Sequence, residues 1–138
     1  MKKCLVCLDG SKTSLRALAR ALDEAGRGAD VLAVTAVEAL AFFDCTGTDC
    51  QQTFTAIMRE PKKILAEAEE LARQRGLTIR TRIEPGRPAE TIARIARQEQ
   101  CDEIILGSRG KDEVQNLLLG SVSTRLVQIA PCTVVVVR

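Results

Sequence analysis

The sequence predicts a doubly wound α/β domain: a five-stranded parallel sheet with helices on both faces. Three observations carry this. Short apolar runs alternate with stretches of helical periodicity five times along 138 residues. Most of those runs, such as "CLVCL" and "VVVV", are apolar on both faces, which marks strands covered by helices on each side. No repeat, low-complexity segment or linker interrupts the alternation, so residues 1–138 read as one domain, long enough to bury a core without metal or disulfide staples.

The elements follow in order. "KKCLVCLDGS" is a buried strand that ends in Asp9, Gly10 and Ser11, which suit a turn and a helix cap. Leu15, Leu18, Ala19 and Leu22 then recur at helical spacing until Gly26 and Gly28. "ADVLAVTAVEA" gives a second buried strand over about residues 30 to 37. Residues 38 to 58 show no clear period and hold Cys45, Cys50 and every aromatic of the chain, Phe42, Phe43 and Phe54. They read as a mobile flap near the ligand edge, partly docked by its aromatics.

Pro61 opens the next helix, with Ile64, Leu65, Ala68, Leu71 and Ala72 on one face and Gly76 at its end. "LTIRTRI" alternates as a strand does. Pro88 starts a helix whose Ala89, Ile92, Ala93 and Ala96 turn inward, and "DEIIL" is a buried strand that runs into Gly107. Val122, Leu126 and Ile129 mark a last helix, Pro131 ends it, and "CTVVVV" is the final strand. The expected architecture is Rossmann-like, with strand order 3-2-1-4-5.

Composition excludes several functions. A net charge of +2 argues for neither nucleic acid nor a membrane surface as partner. No apolar run is long enough to span a bilayer, and "MKKCLVCLDG" turns polar too soon for a signal peptide, so the cytoplasm is the expected location and reduced thiols the expected state. With no His anywhere, histidine-based nucleophile systems and histidine-ligated metals are impossible. Without Trp or Tyr, a bound planar ring must be held by aliphatic side chains and backbone hydrogen bonds.

The stretch "LGSRGKDEVQNLLLGSVSTRL" carries the functional signal. In open parallel sheets, ligands sit beyond the C-terminal strand ends where strand order reverses. Gly107 follows the fourth strand at that edge, Gly110 lets the loop approach a ligand without a Cβ, and Gly120-Ser121 opens a helix whose free N–H groups favour an anion. The plain alternative is ordinary strand-to-helix punctuation. There is no G-x4-G-K-[ST] loop, and "GRGADV" precedes a strand where a dinucleotide fingerprint would follow one.

Taken whole, the chain resembles the universal stress protein family. "CLVCLDGS", "GRPAETI", "DEIILGSRG" and "LLLGSVSTRLVQIAPCTVVVV" carry the likeness over its full length, and the spacing G-x2-G-x9-G-S is the mark of ATP-binding members. The resemblance implies that Asp9 sits beside a nucleoside, with Cys7 and Leu8 lining the adenine side and the Ala36 backbone reading the base edge. It implies that Leu106 and Gly107 meet base and ribose and that Arg109 reaches toward ribose or phosphate. Gly110, Gly120, Ser121, Val122 and Ser123 then surround the phosphates through N–H and hydroxyl groups. The implied ligand is ATP, AMP or ADP, with Mg²⁺. Thr35 stands where the family often has His, and Asp112 and Glu113 either repel phosphate or help hold it through Mg²⁺.

Blander roles compete at several positions. Asp9 and Ser121 also suit caps or turns, and Lys111 suits a solvated loop. Cys4, Cys7, Cys101 and Cys132 read as small core hydrophobes, while Cys45 and Cys50 allow a disulfide or a thiolate site. Three functions stay open: a nucleotide-dependent regulatory switch or interaction module, a slow ATPase or adenylyl-transfer enzyme, and a module with a vestigial site. The final strand, apolar and lacking charge, Pro or a bulge over residues 133–137, is expected at a sheet edge and to pair with its copy in a homodimer.

Overall fold

In the computed structural model, which describes residues 1–38, 48–110 and 118–138, strands and helices alternate throughout. The elements are β1 (Lys3–Cys7), α1 (Lys12–Gly26), β2 (Asp30–Val37), α2 (Thr48–Gln74), β3 (Arg80–Pro85), α3 (Pro88–Gln98), β4 (Glu103–Gly107), α4 (Ser121–Ile129) and β5 (Thr133–Val137). The strands form one parallel sheet in the order β3-β2-β1-β4-β5. This is the predicted topology. Among the described residues no helix is long and apolar enough to cross a membrane.

Side chains alternate across each strand, and the alternation builds two cores. On one face Ala17, Leu18, Ala21 and Leu22 of α1 and Leu65, Ala68 and Ala72 of α2 pack on Cys4, Val6, Val31, Ala33 and Ile105. On the other, Ala89, Ile92, Ala93, Ile95 and Ala96 of α3 and Leu126 of α4 pack on Leu5, Leu32, Val34, Ile104 and Leu106. The inner strands are buried on both faces, whereas β3 and β5 at the edges stay partly exposed.

The structure corrects five readings. The inward face of α1 is Thr13, Ser14, Ala17, Leu18, Ala21 and Leu22, while Leu15 is 49% exposed. Leu71 likewise faces out. Helix α2 begins at Thr48 and runs through Pro61, so residues 48 to 58 are helix and not a flap. Strand β3 starts at Arg80, three residues beyond Leu77, where the alternating pattern began. Cys50 is disulfide-bonded, one of the roles left open for it and an exception to the expected reduced state, while Cys4, Cys7, Cys101 and Cys132 are free. Phe42, Phe43, Cys45, Lys111, Asp112 and Glu113 lie outside the described residues.

Charges gather at the N-terminal end of the sheet. Lys2 Nζ bridges Glu24 at 3.4 Å and Glu103 at 3.1 Å, two carboxylates that are nearly buried. Cations on both sides of Glu24, Arg20 and Arg27, complete its partners. The opposite end of the sheet, where the helices begin, is left for other work.

Candidate functional site

Strand order reverses at β1, with β2 on one side and β4 on the other, so the chains leaving β1 and β4 diverge and open a crevice. From β1 and its exit, Cys7, Leu8 and Asp9 line it; β2 adds Ala36. From the other side come Leu106 and Gly107 of β4, then Arg109 and Gly110, and finally Gly120, Val122 and Ser123 at the start of α4. The cavity measures about 110 Å³. Of the described residues assigned to nucleotide contact, Ser121 alone does not line it; that residue is exposed.

Ser11, Ser14 and Pro88 also line the cleft and were not singled out as site residues. Their signal was present in another form. A Ser-x2-Ser cap and a Pro at a helix start both mark helix N-termini, and in a parallel α/β fold every helix begins at this edge.

The start of α1 is closed. Ser11 is its N-cap, with Oγ accepting from the Ser14 amide at 3.1 Å, and the Ser14 hydroxyl donates back to the Ser11 carbonyl at 3.0 Å. Asp9 is the turn residue before the cap: its Oδ1 accepts from the Ser11 amide at 2.9 Å. Gly10 between them has φ +86°, a conformation that favours glycine.

Gly107 serves packing first. A Cβ there would run into Thr13 Oγ1 and lie 2.7 Å from the Thr13 carbonyl carbon. The Thr13 hydroxyl donates to the Arg109 carbonyl at 2.8 Å, fastening the loop after β4 to α1.

The start of α4 is built differently. Ser108, 2% exposed, donates its amide to the Val137 carbonyl at 2.7 Å, and its own carbonyl accepts from the Gly120 amide at 2.5 Å and the Ser123 hydroxyl at 3.0 Å. The Ser123 hydroxyl also reaches the Gly120 carbonyl at 3.1 Å. These bonds correct the reading of Gly120 and Ser123, because the Gly120 N–H and the Ser123 hydroxyl are spent on the chain. The N-cap of α4 is Gly120 itself, with no side chain to cap the turn. The first-turn amides of Val122 and Ser123 have no acceptor within the helix, and the positive end of its dipole lies at the cleft.

Cys7 adds an apolar wall. Burial, with Asp9 nearby, pushes its thiol up to about 12, so it stays protonated and is no nucleophile at neutral pH. Among the described residues, no group of three or more His, Cys, Asp or Glu side chains gathers as a metal site.

The sequence profile of the universal stress protein family matches residues 1–138. The chain belongs to the universal stress protein family. A universal stress protein of Thermus aquaticus is 37% identical over 142 aligned positions, which span 99% of this chain and 98% of the relative. Among solved structures, the universal stress protein of Lactobacillus plantarum superposes with a TM-score of 0.76 at 26% identity, covering 99% of this chain and 97% of its own. Another universal stress protein, solved in complex with cAMP, gives the same TM-score of 0.76 at 26% identity over 99% and 97% of the two chains. In this universal stress protein, the strand reversal, an aliphatic and thiol-lined wall and an uncapped helix start meet in one crevice.

Proposed function

We propose that this universal stress protein binds an adenine nucleotide, ATP or its AMP and ADP relatives, and acts in the cytoplasm as a nucleotide-dependent switch or interaction module. One observation carries the reading: the helix starts that line the cleft are unequal, and α3 opens there on Pro88, which has no N–H to offer. At α1 the turn is closed by Ser11, while at α4 Gly120 provides no cap. A phosphate therefore belongs at α4, on the amides of Val122 and Ser123. The base then lies between Cys7, Leu8 and Leu106, against the Ala36 backbone, which suits a site with no aromatic among its described lining residues. A cavity of about 110 Å³ takes only part of a nucleotide, so ribose and phosphates run along the rim past Gly107, Arg109 and Gly110 toward Ser121. The relative solved with cAMP supports the ligand class.

Mg²⁺ fits the same arrangement. This ion is held by one or two carboxylates together with substrate phosphates, and Asp9 brings an exposed carboxylate to the lining with one oxygen engaged by Ser11. When bound, the ion would supply charge neutralisation for the phosphates.

The homodimer is a second element of the proposal. Among the described residues, β4 is the one strand that pairs with β5, whose other edge is partly exposed. Pairing with the β5 of a second copy about a two-fold axis satisfies both edges.

Two experiments test the ligand and the site. Mass spectrometry of small molecules released by denaturing the purified protein should show an adenine nucleotide. Gly120→Val should abolish ATP binding in calorimetry, since the φ of −79° at this N-cap suits Val while its side chain fills the phosphate approach. Equal ATP affinity in the variant refutes the site. Multiple-turnover hydrolysis of ATP would move the assignment to an ATPase.

A further inference from the structure

Two free thiols outside the cleft stand at the opposite end of the sheet. Cys101 closes the connection from α3, donating its amide to the Ala96 carbonyl at 2.9 Å, and Cys132 lies one residue before β5. Both side chains pack against the same core cluster, the one beneath α3 and α4. The register brings them together. Glu103 pairs with Thr133, so Cys132 precedes its strand by one residue and Cys101 precedes that pair by two. Cys101 and Cys132 thus stand just before two neighbouring strands, which lie roughly 4.8 Å apart, a spacing within the Cα separations of about 4.4–6.8 Å that disulfides span. A thiolate at Cys132 also lies near enough to push the Cys101 thiol up, second to burial as the cause.

We propose that Cys101 and Cys132 are a redox pair that forms a reversible disulfide with a low-molecular-weight disulfide as oxidant. In the first step the Cys132 thiolate attacks one sulfur of the oxidant, breaking its S–S bond and releasing one small thiolate. In the second, the Cys101 thiolate attacks the Cys132 sulfur and expels the other small thiolate. The two protein protons leave to solvent and return on the released thiolates, so two cysteines are oxidised and one small disulfide is reduced to two thiols. Both thiols sit above the ordinary range, chiefly through burial. Around Cys101, Glu99 disfavours the thiolate and Lys3 and Arg80 favour it, while Asp102 and Glu103 disfavour it at Cys132. Exchange is therefore slow, and the pair responds to sustained oxidation.

The bond would tie the start of the edge strand β5 to the start of β4, its neighbour in the sheet. It also closes residues 101 to 132 into a loop that contains the glycine-bearing segment and α4. The cleft is at the far end of the strands, so the bond protects the fold of this half without occupying the site.

The full chain, incubated with oxidised glutathione, alkylated and digested with trypsin, tests the pair directly. Cys101 lies in the peptide of residues 98–109 and Cys132 in that of residues 126–138. The expected product is these two peptides joined within one chain, two hydrogens lighter than their sum and separated again by dithiothreitol. Cys101→Ala should leave Cys132 carrying glutathione, because no resolving thiol remains. The urea midpoint of the oxidised chain should rise above that of the reduced chain. Recovery of both cysteines as free thiols, as separate glutathione adducts, or linked only between two chains overturns the proposal.

Discussion

A Cβ placed on Gly107 would lie 2.7 Å from the carbonyl carbon of Thr13 and 2.8 Å from the Ser14 nitrogen, so β4 and α1 meet backbone to backbone. The contact draws α1 over the strand and sets one wall of the cleft. Gly107→Ala has no room without moving the helix, and overpacking of this kind costs about 1–3 kcal/mol. Urea unfolding should show that loss. Unchanged stability would mean that the helix start yields freely.

Ser11→Ala removes the side-chain acceptor that closes α1. The expected destabilisation is about 1 kcal/mol, with Ser11→Gly costing only a few tenths. Thermal unfolding of both variants separates the capping bond from any effect of side-chain bulk.

Alkaline pH should unfold the protein through its buried thiols. Cys7 is raised from 9.0 to about 12 and Cys4 to about 11, both chiefly by burial. Above pH 9 the unfolded chain releases these protons while the folded chain keeps them, so stability falls as pH rises toward the folded values. Each thiol contributes a loss of about 1.4 kcal/mol per pH unit in that window. Stability measured between pH 9 and 11 should fall less steeply in Cys7→Ala, whatever its stability at neutral pH.

Val136→Pro addresses the proposed dimer. It removes the Val136 N–H; the Val137 carbonyl faces the β4 side, where it accepts from Ser108, so the Val136 N–H turns to the free edge that a second copy would use. Light scattering should give a dimer for the native chain and a smaller species for the variant. A native monomer at micromolar concentration refutes the pairing.

The buried strands and their order were legible because two-sided apolar runs leave few other folds. The core face of α1 was not. Large Leu15 attracted the inward assignment, yet close approach to the sheet selected Ala17 and Ala21, both fully buried, and the small Thr13 and Ser14 beside Gly107. The front of α2 was hidden for a different reason. Residues 51 to 60 are mostly exposed, so no apolar stripe records the helix, and Pro61 imitates a helix start. At the cleft, the glycine spacing pointed to strand ends that the structure brings together around one cavity. It could not show that Gly107 answers to Thr13, or that the Gly120 amide is taken by Ser108, because both facts are contacts across the fold.

Ser108 joins the end of β5 to the start of α4 through its own amide and carbonyl. A joint made of main chain is indifferent to which side chain the position carries, provided it is small enough for a site only 2% exposed. Proline aside, which lacks the N–H, point substitution at this position can alter its packing but cannot delete its bonds. Relatives that diverge here can thus inherit the joint unchanged, and its loss would require a proline, an insertion, a deletion or a shift of register.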